Sequence, residues 1–181
     1  MKTAFPETGW SCRDEASGLF HQAHFLAALE GELARWDRWV RPLALALVEL
    51  EPAPDWAAFG HLAQSALRSV DLAARLSDNL AGFLFPEAGR AWAGRRLAEF
   101  LAELRRDARL GRSDIRTGLT LALPRADLSA GEMMALALRD LSGGPDRAAR
   151  APEADPVTFI IEDELRLLFE GFRALEDGRR P

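Results

Sequence analysis

Apolar and polar positions alternate along this chain with two distinct periods. From Leu19 to Val40 the apolar residues Phe20, Phe25, Leu26, Leu29, Leu33 and Trp36 recur at helical spacing, which predicts an amphipathic helix ended by Arg41-Pro42. Leu43 to Leu50 is a continuous apolar run of strand length, the pattern of a strand covered on both faces. Pro52 and Pro54 break the chain, and Asp55 is an N-cap for a helix reaching to about Ser69. Leu72–Leu76 and Ala81–Phe85 read as two strands joined through Ser77-Asp78-Asn79, a hairpin. A long helix follows over Gly89–Leu110, then a strand over Asp114–Leu123. Ser129–Leu141 is a shorter helix with Ser129 and Glu132 as a capping box. Residues 142–156, rich in Gly, Pro and charge, read as a loop. Val157–Ile161 predicts a last strand and Glu162–Glu176 a last amphipathic helix, carrying Leu165, Leu168, Phe169 and Phe172.

This order is helix, strand, helix, hairpin, helix, strand, helix, strand, helix. A hairpin inside it argues against a purely parallel doubly wound sheet and for an α+β domain with one sheet and flanking helices. No internal repeat appears, and 181 residues suit one compact unit. Composition supports this: 48% of residues are apolar and 28% charged, a globular balance. The net charge of −5 supplies no general attraction to nucleic acid or anionic lipid, so neither is expected as a partner. Cys12 is the only cysteine, which excludes an intrachain disulfide and a cysteine-rich zinc site. No stretch is long and apolar enough for a signal peptide or a membrane span, and the expectation is a cytoplasmic protein.

Four stretches, in order and at matching spacing, resemble the GGDEF (diguanylate cyclase) family. Asp14-Glu15-Ala16-Ser17-Gly18-Leu19, with Phe25 beyond it, is similar to the family's opening "D-x-x-T-G-L" segment. Residues 41–51 are similar to the strand that ends in its metal-binding "D-x-D". Gly60-His61 is similar to its "G-H". Arg68 to Leu76 resembles the lead-in to the signature turn, and Phe83-Leu84-Phe85-Pro86 the strand that follows it. The resemblance spans Asp14 to Leu141. It implies a palm-like, ferredoxin-like core with a mostly antiparallel central sheet, residues 1–13 as a lead-in and 14–141 as the domain. Residues 142–156 would be a loop, and 157–181 a strand and extra C-terminal helix packed on the same domain. It also implies a bacterial source.

The departures from the family pattern bear on activity. Family cyclases condense two GTP molecules across a dimer, chemistry that rests on metal ions and positioned charge. Here Ser77-Asp78-Asn79-Leu80-Ala81 stands in place of the signature, so the acidic pair becomes Asn79 and Leu80. Ser77 and Asp78 replace two glycines whose backbone freedom lets the chain approach phosphate. Glu49 is a vestige of the first metal aspartate, with oxygens displaced by a methylene that Mg²⁺ tolerates poorly. The family's phosphate- and guanine-gripping "F-K-x-x-N-D" is replaced by Pro52-Ala53-Pro54-Asp55-Trp56. These changes imply a degenerate domain with no catalytic residues, no metal and no cofactor, a pseudo-enzyme.

Arg68-x-x-Asp71 remains, at the spacing of the family's inhibitory site for cyclic di-GMP. A guanidinium forks onto guanine O6 and N7 or onto phosphate, and a carboxylate complements the guanine N–H donors. The bland alternative is that Arg68 and Asp71 pair with each other or cap the corner. His21 and His24 are three apart on a helix and are read as solvated surface, and His61 as structural. Arg95-Arg96 and Arg105-Arg106 are read as a solvated face. Trp36, Trp39, Trp56 and Trp92 are read as core or interface. The functional expectation is an inactive signalling domain acting through a protein partner, with a homodimer among the candidates. The alternative is a cyclic di-GMP receptor binding through Arg68 and Asp71.

Overall fold

The computed structural model describes residues 12–39, 41–122 and 128–142, with the side chains of 36–39 excepted. The predicted strand Val157–Ile161, the helix after it and the loop before it lie outside the described residues, except Ser142, which ends the last described helix. Along the described chain the elements are β1 (Phe20–His21), α1 (Gln22–Trp39), β2 (Leu43–Glu51), α2 (Trp56–Ala66) and β3 (Leu72–Arg75). They continue with β4 (Leu80–Pro86), α3 (Arg90–Arg106), β5 (Asp114–Leu121) and α4 (Ala130–Ser142). The sheet has five strands in the order β1-β3-β4-β2-β5, all neighbours antiparallel except β1 with β3.

β2 lies between β4 and β5, and its apolar run is explained by burial on both faces. Ala44, Ala46, Val48 and Leu50 face a core built with Trp56, Phe59 and Ala63 of α2 and Leu97, Phe100 and Leu104 of α3. Leu43, Leu45 and Leu47 face the opposite core, with Phe25 and Leu29 of α1 and Met133 and Ala137 of α4. The period-two alternation of a strand thus divides one continuous run between two helical layers. Aromatic edges knit the first layer: Phe59 meets Phe100 edge-on at 5.5 Å and Trp56 at 5.2 Å.

The caps form as their sequence signatures predict. Asp55 Oδ1 accepts from Ala58 N at 3.1 Å at the start of α2. At α4, Ser129 N donates to Glu132 Oε2 (2.9 Å) and Glu132 N to Ser129 Oγ (3.2 Å), a reciprocal box. The Ser129 hydrogen bonds hold the Glu132 carboxyl below its ordinary pKa.

Three helix ends differ from the periodicity by three residues or more. The first helix starts at Gln22 rather than Leu19, because Phe20 and His21 extend to pair with Ala74 and Arg75 of β3. The second stops at Ala66, and the corner Leu67–Asp71 turns on an Arg68–Asp71 contact. The third ends at Arg106 rather than Leu110, with Asp107 as its C-cap donating back to Glu103 O and Leu104 O.

Glycine at position 60 is dictated by packing. A Cβ there would lie 1.8 Å from the Ser17 carbonyl oxygen, so α2 can rest on the loop before β1 only without a side chain. That loop is itself fixed by Asp14, whose Oδ1 accepts from Ser17 N (2.9 Å) and Ser17 Oγ (2.7 Å), and by Gly18 at φ +68°. Two separate motif stretches are therefore one packing unit. His61, next to this glycine, is exposed.

Candidate functional site

Two corners carry the residues singled out from sequence, and they lie at opposite ends of the β2–β4 pair. Leu43 pairs with Pro86 at one end and Glu49 with Leu80 at the other. Six residue steps along the strand separate these pairs, about 20 Å.

At the signature end, Ser77-Asp78-Asn79 does connect β3 to β4. Leu76 N and Ser77 N both donate to Leu80 O, at 2.8 and 3.2 Å. None of the turn residues has positive φ; among the described residues only Glu87 and Gly18 do. This turn is therefore not the two-residue type that needs left-handed residues, and it forms without glycine at no backbone cost. Ser77 Oγ lies 3.1 Å from Asn79 Oδ1, and Asn79 O accepts from Leu50 N at 2.9 Å.

The side chains there are tied to one another. Glu49 Oε2 is 2.7 Å from Arg116 Nη2 on the neighbouring β5, and Glu49 Oε1 accepts from Asn79 Nδ2 at 3.3 Å. Trp56 Nε1 donates to the Asp78 carbonyl at 2.9 Å. Arg75 reaches Asp78 Oδ1 at 3.0 Å and Asp14 Oδ2 at 3.5 Å, with its guanidinium 4.8 Å from the Trp56 ring centre. Burial works against the Asp14 charge, but the bonds from Ser17 and the Arg75 guanidinium together hold its carboxyl below the ordinary range. Leu80 and Ala81 open β4 and turn inward; Ala81 is fully buried. Arg116, Arg75 and Trp56 were not among the residues singled out for this corner. The only signal for Arg116 was a strand register, which local pattern does not provide. Among the described residues, no three His, Cys, Asp or Glu side chains converge.

At the other end, Arg68 and Asp71 are joined. Arg68 Nη2 and Nε approach Asp71 Oδ1 at 2.7 and 3.1 Å, and Arg68 N donates to Asp71 Oδ2 at 2.9 Å. The Asp71 side chain is 1% exposed, so its oxygens are spent inside the corner. The Arg68 guanidinium also reaches Pro86 O at 3.2 Å and stacks 3.9 Å from the centre of the Trp92 ring. Its outer side faces a cavity of about 520 Å³ lined by Arg35, Arg41, Pro42, Leu43, Val70, Pro86, Glu32 and Glu87. Two further arginines therefore join Arg68, Arg35 from α1 and Arg41 from just before β2, and neither was singled out as a ligand residue.

The remaining candidates are placed as follows. His21 is exposed and His24 stacks on Phe20 at 4.3 Å. Arg105 and Arg106 are exposed, whereas Arg96 is not merely solvated: it reaches Ala66 O and Glu99, tying α3 to the end of α2. Trp56 is buried and Trp92 lies half-buried under Arg68; the side chains of Trp36 and Trp39 lie outside the described residues. Among the described residues no helix is long and apolar enough to cross a membrane.

No protein-family model and no curated protein matches the chain. Solved structures do. The GGDEF domain of FimX from Pseudomonas aeruginosa superposes with a TM-score of 0.65 at 20% identity, covering 77% of this chain and 95% of that one. The GGDEF domain of DgcB from Caulobacter crescentus, in complex with cyclic di-GMP, gives 0.67 at 15% identity over 78% and 92%. The diguanylate cyclase SiaD of P. aeruginosa, in complex with its activator SiaC, gives 0.64 at 22% identity over 78% and 59%. With the mixed five-stranded sheet and its two helical layers, these likenesses give the described residues the fold of a GGDEF-like domain.

Proposed function

We propose that this domain works by binding rather than by turnover: a GGDEF-fold signalling domain that does not make cyclic di-GMP. The observation that carries this reading is the Glu49–Arg116 pair. A guanidinium lies 2.7 Å from the Glu49 carboxylate, to which the family resemblance would assign a divalent cation, and the adjacent amide of Asn79 also donates to Glu49. Condensing two triphosphates requires metal ions to neutralise the oxygens as charge develops. One carboxylate already neutralised by an arginine, beside an amide and a leucine, does not supply that. Asp78 adds a further negative charge, 96% exposed, at the turn. The test is incubation with GTP and Mg²⁺ or Mn²⁺, with nucleotides resolved by chromatography. No product is expected, and product that disappears in Glu49→Gln would overturn the reading.

The binding partner in this reading is a protein, with a second copy of the chain as one form of it. SiaD, which shares the fold, forms a complex with an activator protein. A second reading, cyclic di-GMP as ligand, is favoured by one specific observation: three arginines open onto the same 520 Å³ cavity, a size suited to a small ligand. Under it Arg68 supplies a fixed cation, and Asp71 holds Arg68 in place instead of meeting the guanine edge. Calorimetric titration with cyclic di-GMP decides between the two readings. Micromolar binding supports the receptor, and no heat at high protein concentration leaves the protein partner.

A further inference from the structure

The cavity beside Arg68 carries more hydrogen-bond donors than the described residues use. A guanidinium has N–H donors on all three of its nitrogens. Arg68 spends Nε and Nη2 on Asp71 and the Pro86 carbonyl, which leaves Nη1. Arg35 and Arg41 each meet one carboxylate through Nη1 alone, Glu32 and Glu87 respectively, and their side chains are 73% and 62% exposed. Beside these donors lies bare apolar surface. Pro42, Pro86 and Val70 line the same cavity, and Val70 is 58% exposed, one of two large apolar residues left open among those described. Unspent cationic donors next to uncovered apolar surface fit a segment in which acidic and apolar residues adjoin.

The sequence supplies one such segment. Ile160-Ile161-Glu162-Asp163-Glu164-Leu165 holds the only run of three acidic residues in the chain, with apolar residues on both sides of it. We infer that this segment of the same chain covers the cavity, its carboxylates on Arg35 and Arg41 and its apolar side chains against Val70. Reach allows it. Twenty residue steps separate Ser142, the end of α4, from Glu162, an extended span of about 65–70 Å, several times the length of the β2–β4 pair. Tethering also favours the chain's own segment over that of a second copy, because a linked partner is present at an effective concentration on the order of millimolar. Neither Glu32 nor Glu87 has to leave, since the free edge of each guanidinium accommodates a second carboxylate. Any ligand of the cavity must then displace residues 160–165, which makes the segment a cover that regulates access. The contact itself needs no ligand and stands apart from either reading of the function.

Lys2 is the only lysine in the chain, so Arg41→Lys and Arg35→Lys each place one new amine at a chosen edge of the cavity. Zero-length coupling of the full chain with a carbodiimide joins that amine to carboxylates in contact with it, and peptide mapping identifies them. Links to Glu87 in Arg41→Lys and to Glu32 in Arg35→Lys show that the amines react, and the Glu87 link, across 46 positions, shows that the fold is intact. A further link to Glu162, Asp163 or Glu164 is expected in both variants at comparable yield. It should fall several-fold in about 0.5 M salt, which screens exposed pairs. Links to Glu87 and Glu32 alone overturn the proposal. Mixing isotope-labelled with unlabelled protein before coupling tells one chain from two. Links within a single isotope class support the chain's own segment, and links of mixed isotope put a second copy's segment on the cavity and overturn the intrachain assignment.

Discussion

The two ends of the β2–β4 pair use the same chemical groups to opposite effect. At the signature end, Arg75 and Arg116 are drawn onto Asp14, Asp78 and Glu49, and Trp56 closes over the turn. At the other end, Arg68 is fixed just as firmly, but Arg35 and Arg41 stand on the rim of an open cavity. An arginine completes a site or blocks it according to what its partner carboxylate would otherwise do. The family resemblance would give Glu49 a cation, and under the proposed reading Arg116 takes that cation's place. Asp71 is buried where no ligand reaches, so its pairing with Arg68 leaves a charge available on the outer side.

The sharpest way to break this comparison is to separate the buried-paired arginine from those in exposed pairs. Arg68→Ala leaves the Asp71 carboxylate, 1% exposed, with its backbone donor alone. Stripping the partner from a buried charge is costly; with Arg68 itself 37% exposed, the expected loss is about 2–3 kcal/mol. Arg41→Ala breaks an exposed pair and should stay within about 0.5 kcal/mol. Urea unfolding of the two variants measures the difference. Equal losses would mean that the distinction between a firmly and a loosely held arginine is wrong.

Much of the fold was legible because its determinants are local. The continuous run Leu43–Leu50 announced a strand covered on both faces, and Asp55 and the Ser129–Glu132 box marked helix starts that the structure reproduces. The spacing of Asp14, Ser17, Gly18 and Gly60 was legible as a motif, while its cause is three-dimensional: a carbonyl against which only glycine fits. β1 was not legible, since two residues carry no period and their partner strand is distant in sequence. The site was legible only in part. Arg68 and Asp71 stood out through their spacing, and their mutual contact was one of the alternatives weighed. Arg116 meets Glu49 through the β2–β5 register, and Arg35 and Arg41 reach the cavity from α1 and β2. Those are cross-element relations with no local signature.

A smaller effect is expected at the blocked end. Arg116→Ala leaves Glu49, 20% exposed, with Asn79 as its remaining donor, and should cost about 1–1.5 kcal/mol. Most of that loss should return in the Arg116→Ala, Glu49→Gln double variant, because the neutral amide needs no counter-charge. Freeing the carboxylate also tests directly the proposal that this corner holds no cation. Millimolar Mg²⁺ should leave the melting midpoint of Arg116→Ala unchanged. A Mg²⁺-dependent rise in that variant, absent from wild type, would mean that the arginine alone keeps a working cation site shut.

The smallest effect concerns Asp14, where the loop before β1 meets the signature turn through Arg75. Its carboxyl is held below the ordinary value of 3.8 because the Ser17 hydrogen bonds and Arg75 outweigh the burial that opposes its charge. A folded pKa below the unfolded one means that the unfolded chain takes up the proton more readily. The contribution is therefore complete above the unfolded pKa and is lost as pH falls below about 4 toward the lower folded value. Asp14→Asn keeps an acceptor for Ser17 and removes the charge, so the expected loss near neutral pH is about 0.5–1 kcal/mol. The difference from wild type should narrow as the solution is acidified through that window. Paired unfolding curves between pH 7 and pH 2.5 measure it. A gap that stays constant with pH would show that the Asp14 charge does not link the loop to the turn, and that the hydrogen bonds alone hold this end together.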